Sequence, residues 1–210
     1  MVVCTTVNLC QATAYEYWVR SDCNNGTFSA WAGPYFFMTT QIPEILNYSQ
    51  DFENDGTGWS LINGLQVNRW HIGSAVNNGG LRSLYVSNNN GLNNQYTNTT
   101  ASTVHAYRDI EIPAGVNEIN ISFDWRADGQ SGNTDYMRVW SVPITYNPIA
   151  GTAITTGAGR LPVSPVLQES ADWTTVNYTM NVTAYDGEVR RFIVEWRNNA
   201  TTGAQPPAAI

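Results

Sequence analysis

Charge is the first thing this sequence is short of. Only 13% of its 210 residues are Asp, Glu, Lys or Arg, well under the usual proportion. The charges present sum to −7 and form no basic stripe. Neither a nucleic acid nor an anionic membrane surface therefore finds an electrostatic footprint. Apolar runs are short as well, and none approaches the ~18 residues of a membrane-spanning helix. The opening "MVVCTTVNLCQATA" lacks the basic start of a signal peptide, so an export signal is expected upstream. Cysteine is confined to Cys4, Cys10 and Cys23. The odd count leaves at least one thiol without a partner in the chain, and nothing after Cys23 supplies a disulfide framework. No C-x-x-C spacing points to a metal or redox pair. Helical periodicity is nearly absent, which excludes helix bundles and alternating α/β folds.

What is present is aromatic and alternating. Eight Trp and eleven Tyr stand among short runs of period two, cut by Gly, Asn and Pro. This predicts an all-β chain. In "AYEYWVRSDCNNGTFSAWAGPYFFMTT" Tyr15, Tyr17 and Val19 share one face, "SDCNNG" is a turn, and "GPYFFMTT" returns with Pro34 at its start. "CTTVNL" alternates again and is expected as a third strand. The spacing from Leu9 to Tyr15 suits a tyrosine corner, in which a Tyr hydroxyl bonds back to upstream backbone. "QIPEILNYSQ" reads as a linker. Beyond it come "ILNYSQDFE", "WHIGSA", "SLYVSN", "VHAYRDIEI", "EINISFDWRA", "DYMRVWSVP", "TTVNYTMNV" and "RRFIVEWRN", eight strands that suggest a sandwich or jelly roll. Residues 147–172 are read as a long surface loop.

Two resemblances follow from these motifs. "LCQATAYEYWVRSDCNNGTFSAWAGPYFFMTT" resembles the last three strands of a fibronectin type III domain from large exported Gram-negative proteins. That likeness implies a partner for Cys23 in earlier strands outside this sequence. "DFENDGTGWSL", "RWHIGSA", "GLRSLYVSNNNG", "AYRDIEIPAG", "ISFDWRADGQSGNTDYMRVWSVP" and "FIVEWRNNATTGAQPPAAI", in that order, resemble the MAM-like jelly roll of bacterial surface proteins, related to cleaved-adhesin and choice-of-anchor modules. It implies a last strand after "PPAAI". The absence of Cys sets it apart from receptor-type MAM domains. The expected organisation is 1–41, a partial Ig-like (fibronectin type III) sandwich, and 42–210, a β-jelly-roll sandwich lacking its final strand.

Two constellations carry candidate chemistry. In "DFENDGTG", Asp51, Glu53 and Asp55 alternate and can converge on one strand face. Calcium takes six to eight oxygens of this kind, and the jelly-roll likeness implies a structural calcium near Glu53. A solvated acidic turn is the other reading. The second constellation is built from alternation. Ile119, Ile121, Phe123 and Trp125 face the core, as do Phe192, Val194 and Trp196. If the three strands are neighbours, Asp124, Arg126, Tyr136, Arg138, Trp140, Glu195 and Arg197 form one outward patch. Aromatic rings beside charged groups suit a sugar, since rings stack on C–H faces and polar groups bond hydroxyls. A salt-bridged sheet face with Trp140 under the long loop reads the same residues otherwise.

An enzyme is not expected. His71 and His105 lie on separate strands, and no nucleophile elbow, zinc motif or phosphate loop appears. Asp124 and Glu195 could pair for glycoside hydrolysis, but each sits beside Arg on its strand face, which keeps both ionised and denies a general acid. The sequence is read as a non-catalytic adhesion or interaction module of a large exported bacterial cell-surface protein, on the extracellular or outer surface of a Gram-negative cell. The alternative is a carbohydrate-binding module that targets a secreted enzyme or adhesin to glycans. A glycan or a surface protein is the expected partner, beside adjoining domains of the parent chain. Proteins with these likenesses often leave by type IX secretion.

Overall fold

Alternation becomes strand in most of the stretches the sequence predicts, but "ILNYSQDFE" pairs only at Ile45, and the expected loop over 147–172 holds a two-residue strand at Leu161–Pro162 and the start of another at Ser170. The computed structural model describes residues 9–54, 56 and 58–210, and the chain divides into two compact units, Met1–Ile42 and Pro43–Ile210. Asp55 and Cys4 fall outside the described residues, as does nearly all of the strand expected over 4–9.

In the first unit β1 (Ala14–Val19) and β2 (Ala32–Met38) form an antiparallel hairpin. Tyr15 lies opposite Phe37 and Tyr17 opposite Tyr35, with ring centroids 5.5 and 5.4 Å apart. Such cross-strand aromatic pairs are the unit of sheet stabilisation. Pro34 sits inside β2, not at its start, opposite a register shift between Tyr17 and Val19 that needs no ladder N–H. The Tyr15 hydroxyl accepts the Cys10 N–H at 2.8 Å, which is the bond the tyrosine-corner spacing suggests. Cys10 and Cys23 are free and exposed.

The second unit holds β3 (Glu44–Ile45), β4 (Ser60–Ile62), β5 (Arg69–Gly73), β6 (Ser83–Ser87), β7 (Ser102–Glu111), β8 (Glu118–Ala127), β9 (Tyr136–Pro143), β10 (Leu161–Pro162), β11 (Ser170–Asn181) and β12 (Val189–Asn198). One sheet runs β10-β9-β12-β7, and β3 and β4 share the far edge of β7. The other is assembled from the pairs β11-β8 and β5-β6, which residues 208–210 join. Ala209 exchanges both main-chain hydrogen bonds with Arg126, while Ala208 and Ile210 bond to Val86 and Leu84. The layers close on each other through Val104, Ala106, Met137, Val139, Val194 and Trp196 from the first sheet. Trp70, Leu84, Val86, Trp125, Ala127 and Ala208 come from the second. The architecture is an all-β two-layer sandwich.

Two features depart from simple alternation. First, β8 is not a neighbour of β9. The connection over 128–135 carries the chain from one sheet to the other, and it folds tightly because Gly129 (φ +61°) brings its backbone against the Asp135 carbonyl, where a Cβ would collide. Second, β12 is buried on both faces. Residues 144–160 fold over the outer side of the first sheet, so that Tyr146 and Ile154 pack on Tyr107, Trp140, Val142 and Ile193.

Candidate functional site

The expected outward patch is divided between the two sheets. Across the β9–β12 ladder Tyr136 lies opposite Arg197, Arg138 opposite Glu195 and Trp140 opposite Ile193. These five patch residues do share a face, and the 144–160 segment covers it at Trp140 and Glu195. Trp140 is 1% exposed, Glu195 0% and Tyr136 7%. Glu195 Oε2 accepts the Ile154 N–H at 2.7 Å and lies 3.1 Å from His105 Nε2. The Arg138 guanidinium sits 4.7 Å from the centre of a Trp140 ring. Only Arg197 stays exposed. Trp140 is thus a core residue beneath the long loop and offers no platform to a sugar.

Asp124 and Arg126 belong to β8, on the outer face of the other sheet. Asp124 accepts the Thr175 hydroxyl and the Asn78 amide N–H, the latter at 2.8 Å. Burial holds the Arg126 guanidinium below its ordinary value, with Asp172 opposing. Asp124 and Glu195 therefore lie on the outer faces of different sheets, and a glycosidase pair does not form from them. His71 and His105 are likewise split, on β5 and β7.

What the fold does assemble is a cleft of about 660 Å³, a volume suited to a small ligand. Its floor lies between the layers, with Ile119, Ile121 and Phe123 of β8 facing Phe192 and Val194 of β12. Its aromatic lining is Tyr48, Phe52, Trp59 and Trp173. The Trp59 indole N–H donates to the Tyr48 hydroxyl at 2.8 Å, and the Phe52 and Trp59 rings are 5.4 Å apart. Polar lining comes from Asp51, Glu53, Asn78, Arg82, Arg108 and Asp124. Arg108 is neutralised from below by Glu44 and bonds the Gly58 carbonyl at 3.0 Å. An aromatic wall with carboxylate and amide groups can hold an uncharged polyhydroxyl ligand. Sequence reasoning put Asp51, Glu53 and Asp124 in two separate sites. The structure brings all three to one cleft, with Tyr48, Trp59, Asn78 and Trp173, whose convergence no local pattern announces.

The acidic turn itself is closed by backbone donors. Asp51 Oδ1 accepts the Glu53 N–H at 3.0 Å, and Glu53 Oε1 accepts the N–H groups of Leu81 and Arg82 at 2.8 and 2.9 Å. Among the described residues no three His, Cys, Asp or Glu side chains gather as metal ligands.

No protein-family model and no curated protein matches the chain. Among solved structures, the CBM22-1 xylan-binding domain of Xyn10C from Paenibacillus barcinonensis is 9% identical, over 73% of this chain and 81% of that one, with a TM-score of 0.40. TmCBM61 in complex with β-1,4-galactotriose is 10% identical over 77% and 92%, at 0.41. The enzymatically active domain of bacteriophage CBA120 tailspike protein 4 is 13% identical over 82% of this chain and 21% of that one, at 0.45. At such scores these likenesses say nothing of what this chain binds.

Proposed function

We propose that residues 43–210 are a non-catalytic, glycan-binding module of an exported protein. The observation that carries this reading is the cleft, where Trp59, Tyr48 and Trp173 meet Asp51, Asn78 and Asp124 around a volume of about 660 Å³. Rings and hydrogen-bonding groups at that density are what sugar recognition requires. The low charge and amide-rich surface agree with an extracellular setting. No helix among the described residues is long and apolar enough to cross a membrane. We also propose that unit 2 is a MAM-like jelly roll and unit 1 the end of a fibronectin type III domain. The Tyr15 corner bond supports the latter. A structural calcium at Asp51 and Glu53 is a separate proposal.

The test is a glycan panel run on the whole chain, with xylan and β-1,4-galactan as first probes, beside Trp173→Ala and Asp124→Ala. Binding that falls about tenfold or more in both variants, equivalent to about 1.4 kcal/mol, supports the reading. Absence of binding across the panel by the folded wild type overturns it.

A further inference from the structure

β11 is a long edge strand without the usual guards. It runs 12 residues, and among the described residues it pairs with β8 alone. From Trp173 to Asn181 it carries no charge, no Pro and no Gly, in a chain of net charge −7. An edge of that kind is a template for a further strand, which is why native edges are kept short, charged or broken by Pro. β10 and β5 are guarded in that way. β10 has 2 residues and ends on Pro162, and β5 holds Arg69 and His71 within its 5.

The unpaired main-chain groups of β11 follow from the alternation of the ladder. Arg126 of β8 exchanges both backbone hydrogen bonds with Ala209, so Trp125, Phe123 and Ile121 turn theirs the other way, to β11. Thr174, Val176 and Tyr178 lie opposite those three. The N–H and C=O groups of Thr175, Asn177 and Thr179 therefore point off the sheet, and among the described residues they meet no main-chain partner there. All three residues are exposed. The hydroxyls of Thr175 and Thr179 donate back to Asp124 and to Asn120, the latter at 2.9 Å, which fixes the two side chains on either side of Asn177.

This edge is complementary to itself. In "TVNYT", residues 175–179, Asn177 stands between Val176 and Tyr178, and these stand between Thr175 and Thr179. We infer that β11 pairs antiparallel with β11 of a second copy of this chain, about a two-fold axis at Asn177. Asn177 then exchanges both main-chain bonds with the partner's Asn177, and Thr175 does so with the partner's Thr179. Residues directly opposite share a face. Threonine hydroxyls and asparagine amides meet on the outer face, and the half-buried Val176 meets the partner's Tyr178 on the inner one. The uncharged run from Trp173 to Asn181 lets two chains of the same sign approach at this edge without opposing like charges across the ladder. Such an isologous contact closes at two copies. The inference goes beyond the glycan reading and does not depend on it, because it is read from the main chain of β11.

The experiment is sedimentation of the whole chain over a concentration series. A reversible monomer–dimer equilibrium is expected. Asn177→Lys sets two like charges opposite each other at the axis and should weaken self-association about tenfold or more. Asn177 is exposed, so this variant should keep the melting temperature of the monomer. A cysteine pair reads the register, in a background of Cys4→Ser, Cys10→Ser and Cys23→Ser. Asn177→Cys should cross-link two chains on mild oxidation, because directly paired residues stand about 5.5 Å apart at Cα. Thr175→Cys should not, since its two copies would lie about 14 Å apart, beyond the reach of a disulfide. A chain that stays monomeric up to its solubility limit overturns the inference. So does a dimer that survives Asn177→Lys, or one that cross-links at Thr175 as readily as at Asn177. A failed glycan panel leaves it standing.

Discussion

The Ile154 N–H donates to Glu195 Oε2 at 2.7 Å, and this bond ties the 144–160 segment to the centre of the first sheet. Glu195 is 0% exposed and also faces His105, itself 0% exposed. Glu195→Ala leaves a buried N–H and a buried imidazole without their acceptor, at a cost of about 3 kcal/mol. Before global unfolding, the segment should detach. Trypsin is expected to cut after Arg160 about tenfold faster or more than in the wild type. An unchanged cleavage rate would mean that Tyr146 and Ile154 hold the segment by packing alone.

A pH dependence follows from Asp135, which is fully buried. It accepts the Tyr96 hydroxyl at 2.8 Å and the Asn199 N–H at 2.9 Å. Burial outweighs those bonds and raises its carboxyl above the ordinary 3.8. The folded state thus holds this proton more tightly than the unfolded state. The stability due to Asp135 is fully present below pH 3.8 and is lost as pH rises through the raised value. Asp135→Asn keeps an acceptor for Asn199 and cannot ionise. Denaturant midpoints should show the variant gaining on the wild type as pH rises above 3.8. A constant difference would assign the slope to another group.

Glu53 supplies one oxygen to two N–H groups. Glu53→Ala should cost about 1–2 kcal/mol by urea denaturation, and Glu53→Gln less, because the amide oxygen still accepts. The same measurement reads the calcium proposal. A midpoint that rises with calcium in the wild type and not in Glu53→Gln supports it, and equal midpoints with and without chelator remove it.

How much of this was legible depends on what each residue signals. β7, β8, β9, β11 and β12 were readable because period two needs only one buried face, and Ile119, Phe123, Trp125 and Val194 supply it. Which strand lies beside which is not written in that period, so β8 could be given its inward residues but not its partner. The expected exposure of Trp140 and Glu195 failed for a related reason. Alternation assumes that one face meets water, and Tyr146 and Ile154 sit in a stretch without strand periodicity, where nothing local says that they fold back. The bridging segment 208–210 was missed as well. Its Ala208 and Ala209 are buried at 0% exposure, so no amphipathic signal is left. The pairing of that segment and the sheet exchange at Gly129 were not visible.

Two tryptophans separate folding from binding. Trp140 packs under Tyr146 and Ile154 beside Ile193, whereas Trp173 is half-buried on the cleft wall. Trp140→Ala removes a large buried ring from a site that cannot fully collapse and should cost about 3–5 kcal/mol. The fraction that remains folded keeps the cleft intact, so its glycan affinity should be unchanged. Trp173→Ala removes partly exposed surface and should leave the melting temperature within a few degrees of the wild type, while glycan affinity falls. Calorimetric melting and glycan titration on the same two variants check both halves. If instead Trp140→Ala abolished binding at full folding and Trp173→Ala did not, the site would lie on the outer face of the first sheet. The 144–160 segment would then have to lift for ligand to enter.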